Sequence, residues 1–102
     1  MIRLLCLAAL VLATPALAET KQQRQDRCAI QAGIVRQAVD LRTRNKSEKR
    51  AGKLILKSDP IAGSKYEQNV DVLVDWVYNL PKQQLEPETI VQFETACNEF
   101  IQ

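Results

Sequence analysis

The feature that most constrains this fold is a pair of cysteines, Cys28 and Cys97, which stand near the two ends of the chain once its first eighteen residues are set aside. A bond between them would close a loop of about 70 residues, which by the chain-entropy model would stabilise the folded state by roughly 4 kcal/mol. Domains of this size often need such a link. A redox-active pair is the alternative, but it needs close spacing or a neighbour that stabilises a thiolate, and the sequence shows neither. In an oxidising compartment we therefore expect a structural disulfide.

The first eighteen residues, MIRLLCLAALVLATPALA, have the composition of an export signal. Arg3 supplies a positive start, and the apolar run of residues 4–13 is too short to span a bilayer. The small residues that end at Ala18 suit a signal peptidase. We expect a signal peptide over residues 1–18, a mature domain over 19–102 and a periplasmic location. A retained membrane anchor and secretion beyond the periplasm are the alternatives.

Four segments of the mature chain have helical periodicity, and none has a convincing strand pattern. This predicts an all-α domain, a compact bundle of about four helices. The predicted helices cover about residues 21–42, 47–57 and 64–79, with a last one that begins at Pro87. The apolar residues of the first helix cover about half its circumference, which is wide for a surface helix. Ser47 can cap the second helix, and residues 58–63 are predicted to form a loop. Cys28 and Cys97 fall on the apolar faces of the first and last helices, so the disulfide should join those two helices in the core.

The third predicted helix contains VDWVYNLP, with the only Trp of the chain. Trp76 lies within the apolar arc, which favours a core position over a binding site. Tyr78 falls just beyond the arc, so we expect a half-buried ring with its hydroxyl in water. Ser64 and Glu67 have the spacing of a capping box. The last helix has a predicted apolar face made of Ile90, Phe93, Cys97, Phe100 and Ile101.

Residues that commonly carry catalysis are scarce. The chain has no His, which removes Ser-His and Cys-His nucleophiles and the usual zinc ligand. It has only three Gly, and no Gly-rich phosphate loop. We expect no enzyme activity, no catalytic residue, no cofactor and no metal site.

The charge of the mature chain is divided between its two halves. Residues 19–65 hold twelve Lys and Arg against five Asp and Glu, whereas residues 66–102 hold one against seven. The basic concentration begins at Arg42 and continues into the second helix. The basic face consists of Lys49, Arg50, Lys53 and Lys57, with Leu56 at its edge. The acidic face consists of Glu67, Asp71 and Asp75 on the third helix, with Tyr78 at its end.

Each charged face combines charge for steering with an apolar or aromatic contact for affinity, which makes both faces candidate partner-binding surfaces. The partner is expected to be another protein or a second copy in a homodimer. An anionic membrane surface is an alternative for the basic face, and nucleic acid is not expected. Two plainer interpretations stay open: both faces are simply solvated, or the basic second helix lies against the acidic third.

Export, length, Cys28, Val77-Tyr78 before Leu80-Pro81, and Cys97 together resemble small, helical, one-disulfide periplasmic proteins of Gram-negative bacteria. In size, export and single disulfide the chain is also similar to acid-stress chaperones of the HdeA kind. The resemblance implies either a protein-binding module, such as an inhibitor, immunity protein or accessory subunit, or a stress chaperone. If the acidic helix lies against the basic one, its carboxylates should have lowered pKa values, and the domain should loosen in acid.

Overall fold

The computed structural model describes residues 18–100, which form helices, turns and loops and contain no β-strand. The α-helices are α1 Lys21–Thr43, α2 Glu48–Leu56, α3 Glu67–Tyr78 and α4 Pro87–Glu99, with a short 3-10 helix at Lys82–Gln84 before the last. The predicted all-α bundle of about four helices is confirmed. The predicted signal peptide, apart from Ala18, lies outside the described residues. No helix in this described part of the chain has the length and apolar character needed to cross a membrane.

Helix α1 is the centre of the bundle, because it packs against each of the other three helices, while α2 also packs against α3. Its start is fixed by a capping box, in which Thr20 Oγ1 accepts from the Gln23 amide at 3.0 Å and Gln23 Oε1 accepts from the Thr20 amide at 2.9 Å. Two adjacent apolar stripes on α1 are buried, including Ile34 and Val35, which have no exposed surface. The wide apolar arc read from the sequence therefore serves neighbours on more than one side.

A Schellman motif ends α1 and turns the chain towards α2. The Asn45 amide donates to the Arg42 carbonyl at 2.9 Å, and the Lys46 amide donates to the Leu41 carbonyl at 3.0 Å. Asn45 has a φ of 66°, in the left-handed region that Asn tolerates better than most residues. Ser47 then caps α2, because its side chain accepts from the Arg50 amide at 3.1 Å, as the sequence predicted.

The connection between α2 and α3 consists of turns at residues 58–63, as predicted, but it also contributes to the core, because only 1% of the surface of Ile61 is exposed. The predicted capping box is wrong, because α3 begins at Glu67, two residues later than the box requires. Ser64 Oγ instead accepts from the Tyr66 amide at 3.1 Å, and Glu67 Oε2 accepts from the Gly63 amide at 2.6 Å. Both side chains hold the turn before the helix.

The Cys28–Cys97 disulfide is confirmed, and it joins α1 to α4 with a Cα–Cα distance of 5.7 Å. The apolar face predicted for the last helix is only partly correct. Ile90 is buried and Phe93 is half-buried, but Phe100 is 63% exposed. The helix ends at Glu99, so extended backbone at Phe100 takes its ring off the helical face. Ile101 lies outside the described residues.

Candidate functional site

Trp76 is not a core residue, and this corrects the sequence prediction. Its side chain is 39% exposed, whereas Val70, Val74 and Val77 on the same helix are buried. The centre of the buried arc thus runs along these valines, and Trp76 falls at its margin. Its ring lies against Phe93 of α4, with centroids 5.7 Å apart and ring planes inclined by 38°. An aromatic pair of this kind stabilises the contact between two helices while it leaves part of the indole open.

An open groove of about 370 Å³ surrounds the exposed part of this pair. We call it the aromatic groove; it is lined by Trp76, Gln84, Glu86, Thr89, Gln92, Phe93 and Ala96. Its aromatic rings can receive an apolar side chain, and its amide, hydroxyl and carboxylate groups can hydrogen-bond a polypeptide. Trp is also one of the residue types enriched among those that dominate the binding energy of protein interfaces.

Tyr78 is more buried than Trp76, the other aromatic residue near the end of α3. Its ring is half-buried as predicted, but its hydroxyl is not left to water: it donates to the Lys46 carbonyl at 2.7 Å. The guanidinium of Arg42 lies 6.0 Å from the ring centroid. Burial raises the pKa of Tyr78 above its ordinary value, although the positive charge of Arg42 opposes the rise. The hydroxyl is therefore engaged within the chain.

Arg42 belongs to the basic concentration in the sequence, but the structure gives it a role within the fold. One of its terminal nitrogens, Nη1, donates to the carbonyls of Val77 and Leu80, both at 2.7 Å. These carbonyls belong to the last turn of α3 and the residues after it, where a cation also complements the helix dipole. The sequence carried no signal of this contact beyond an Arg at the end of α1.

Parts of the two predicted charged faces border one groove between α2 and α3, with a volume of about 450 Å³. We call it the charged groove; it is lined by Glu48, Lys49, Gly52, Lys53, Leu56, Asp71 and Val74. The structure thus brings Lys49, Lys53 and Leu56 together with Asp71. Within residues 18–100 no ion pair joins α2 to α3, because the two ion pairs found there are Arg27–Glu19 and Arg44–Asp40. The helices pack against each other without a salt bridge.

The remaining predicted site residues lie outside the lining of the charged groove. Arg50 is exposed on α2, and Lys57 is exposed immediately after that helix. Glu67 Oε2 accepts a hydrogen bond from the Gly63 amide, and Asp75 Oδ1 accepts one from the Asn79 side chain at 3.3 Å. The expectation that these carboxylates pair with the basic helix therefore has no ion pair to support it in the part of the chain that the structure describes.

A second cluster joins the two ends of the described chain. Arg27 donates from Nε to Glu19 Oε2 at 2.7 Å and from Nη2 to Glu19 Oε1 at 3.1 Å. Its Nη1 lies 3.3 Å from the Cys97 sulfur, and Nη2 also donates to the Phe100 carbonyl at 3.4 Å. The hydrogen bonds from Arg27 hold the pKa of Glu19 below its ordinary value. Glu19, the first residue of the predicted mature chain, is thus part of the folded structure.

Among residues 18–100 the structure contains no group of three or more side chains that could hold a metal ion. No family model, curated protein or solved structure matches this chain.

Proposed function

We propose that this chain is a small exported protein-binding module, in the manner of an inhibitor, an immunity protein or an accessory subunit, and that its partner docks on the aromatic groove. The observation that carries the proposal is the exposure of Trp76 beside Phe93 at an open groove. The Cys28–Cys97 disulfide supports export, because such bonds persist in oxidising compartments. The hydrogen bond from Arg27 to Glu19 supports cleavage after Ala18, because cleavage there keeps Glu19 in the mature chain.

The free energy available at Trp76 is large enough to anchor a partner. A Trp side chain can bury up to about 250 Å². With 39% of the residue exposed, roughly 100 Å² remains to be covered, which is worth about 2–3 kcal/mol at about 25 cal/mol per Å². Binding also requires freedom of motion to be lost, so this anchor needs further contacts from the groove lining.

The charged faces fit a supporting role in the same proposal. Charges at the rim of an interface act mainly on the association rate and on the choice of partner. Lys49 and Lys53 on one wall of the charged groove and Asp71 on the other are placed to select a partner by charge. Their contribution should weaken as salt shortens the Debye length from about 10 Å at 0.1 M to about 3 Å at 1 M.

The test places a photo-crosslinking amino acid at Gln92, in the aromatic groove, in protein expressed in its own host. The matched control places it at Val91, the next residue of α4, which is 62% exposed but is not part of the groove lining. We expect one protein to be crosslinked from Gln92 and not from Val91. That protein is then purified, and its affinity for the mature chain is measured by calorimetry.

Substitutions at the same two sites complete the test. Trp76→Ala should weaken the measured affinity at least about tenfold, which corresponds to roughly 1.4 kcal/mol, while Val91→Ala should leave it within about twofold. Circular dichroism verifies that both variants remain folded. Equal affinity of the Trp76→Ala variant and the unmodified chain for the identified partner would show that the groove is not the binding surface.

The acid-stress chaperone alternative rests on acid loosening through carboxylates paired between α2 and α3. No such ion pair is present in residues 18–100. The pair Glu19–Arg27 responds to acid, but its loss would release only Glu19, which precedes α1, and would not separate the helices. We therefore do not propose chaperone activity as a second function.

A further inference from the structure

The two sulfurs of the disulfide have different surroundings. Cys28 has no exposed surface and lies on the buried face of α1. Cys97 lies on α4, is partly exposed, and has the Arg27 guanidinium at 3.3 Å from its sulfur. The side-chain oxygen of Gln31 also lies 3.7 Å from that sulfur. One sulfur is thus enclosed, and the other borders solvent and a positive charge.

The guanidinium beside Cys97 is held in place. Its two bonds to Glu19 form a fork-to-fork pair, and the Arg27 side chain is only 11% exposed. A fixed cation stabilises a thiolate, whereas apolar burial raises the pKa of a thiol. If the bond is open, Cys97 should therefore ionise more readily than Cys28. This neighbour of Cys97 could not be recognised in the sequence, because Arg27 is adjacent to Cys28 along the chain and comes close to Cys97 only in the fold.

We propose that Cys97 is the sulfur through which this pair exchanges with external disulfides and thiols, and that Arg27 activates it. In oxidation the Cys97 thiol loses its proton to solvent, and the thiolate attacks one sulfur of a donor disulfide. A mixed disulfide forms on Cys97, and one donor thiolate leaves. Cys28 then loses its proton and attacks the Cys97 sulfur, which releases the second donor thiolate. The pair loses two electrons and the donor gains two.

The same asymmetry makes the finished bond slow to reduce. An external thiolate can reach Cys97, but its attack there must expel the Cys28 thiolate into the apolar core, where it is a poor leaving group. Attack on Cys28 would expel the Cys97 thiolate, which is the better leaving group, but the Cys28 sulfur is enclosed and an external thiolate cannot reach it. Once formed, the disulfide is therefore kinetically protected.

The first experiment compares the Cys28→Ala and Cys97→Ala variants, each of which keeps one free thiol in the mature chain. At pH 7 we expect iodoacetamide and oxidised glutathione to react at least about tenfold faster with Cys97 than with Cys28. The pH dependence of alkylation should place the Cys97 pKa below the ordinary value of about 8.5. In denaturant the difference should vanish. Equal rates in the folded variants, or a faster Cys28, would overturn the proposal.

The role of Arg27 is tested in the Cys28→Ala background. Arg27→Gln should slow alkylation of Cys97 at pH 7 by about fivefold or more and raise its pKa. The matched control is Glu19→Gln, which removes the ion pair but keeps the guanidinium, and which should leave Cys97 fast. If Arg27→Gln leaves the rate and the pKa unchanged, Arg27 does not activate the thiol.

A measurement on the unmodified protein applies even if the single-cysteine variants do not fold. The oxidised mature chain is incubated with reduced glutathione, quenched with acid, and mapped by mass spectrometry. Glutathione should be found on Cys97, and reduction should be at least about tenfold slower in native buffer than in denaturant. Glutathione on Cys28, or equal amounts on both cysteines in native buffer, would contradict the proposal.

Discussion

Replacement of Arg42 by Ala should destabilise the domain far more than replacement of the neighbouring surface arginine. Arg42 Nη1 donates to the carbonyl of Val77, in the last turn of α3, and to that of Leu80, just after the helix. A hydrogen bond to a charged group contributes about 1.5–3 kcal/mol. The two bonds share one nitrogen, so their contributions do not simply add.

The packing of Arg42 on Tyr78 contributes a further about 0.5–1 kcal/mol, because the guanidinium lies 6.0 Å from the ring centroid. We therefore expect Arg42→Ala to lower the free energy of unfolding by about 2–4 kcal/mol. That is a large part of the about 5–15 kcal/mol that typical domains possess. Arg42→Lys keeps the positive charge but loses the planar fork, so it should fall between the unmodified chain and Arg42→Ala.

Arg44 is the matched control. Its side chain is 67% exposed and makes one ion pair with Asp40 at 3.4 Å, one turn away on the same helix. Exposed pairs of this kind contribute about 0.3–0.5 kcal/mol. Urea unfolding followed by circular dichroism should give similar m-values for the variants, with a lower midpoint chiefly for Arg42→Ala. Equal, small losses for Arg42→Ala and Arg44→Ala would refute the assignment of Arg42 to the end of α3.

Three further outcomes follow from other contacts. Intact mass after thiol alkylation should show no free thiol at Cys28 or Cys97, and loss of the bond should cost roughly 4 kcal/mol in urea unfolding; two alkylated thiols in protein purified from the periplasm would contradict this. Because the folded pKa of Glu19 is lowered, the stabilisation that Glu19 provides is present above the ordinary value of 4.5 and is lost as pH falls through the lowered value. The urea midpoints of the unmodified chain and of Glu19→Gln should therefore converge in acid. A constant difference between them from pH 7 to pH 3 would argue against the ion pair with Arg27. Trp76→Ala should cost less than the about 3–5 kcal/mol of a core aromatic, and less than Tyr78→Ala, which also removes a hydrogen bond; the reverse ranking in urea unfolding would restore Trp76 to the core.

The helices and the disulfide could be predicted because each depends on local or covalent chemistry. Periodicity placed α1 almost at its observed bounds, since its two apolar stripes are long and regular. Ser47 was recognised as a cap because the bond it makes is only three residues long. The start of α3 was missed because the Ser64 and Glu67 pair also fits a turn, and their spacing alone does not distinguish the two.

The exposure of Trp76 and the hydrogen bond of the Tyr78 hydroxyl could not be read from the sequence. A projection of α3 alone gives the apolar arc, but its margins depend on where the neighbouring helices lie. Arg42 and the Lys46 carbonyl, both more than 30 residues away in sequence, provide polar partners on the side where Tyr78 falls. Ile61 was missed for a related reason, since no periodic pattern marks a single apolar residue in a turn as part of the core.

The position of α3 between the two grooves determines which substitutions can be used in binding experiments on this chain. Asp71 and Val74 face the charged groove, while Trp76 faces the aromatic groove, so any change that loosens α3 disturbs both at once. Arg42 was counted with the basic residues by sequence, yet its removal would act through the end of α3. Charge reversals on the basic face should therefore be confined to exposed positions of α2, where a loss of binding can be assigned to the surface itself.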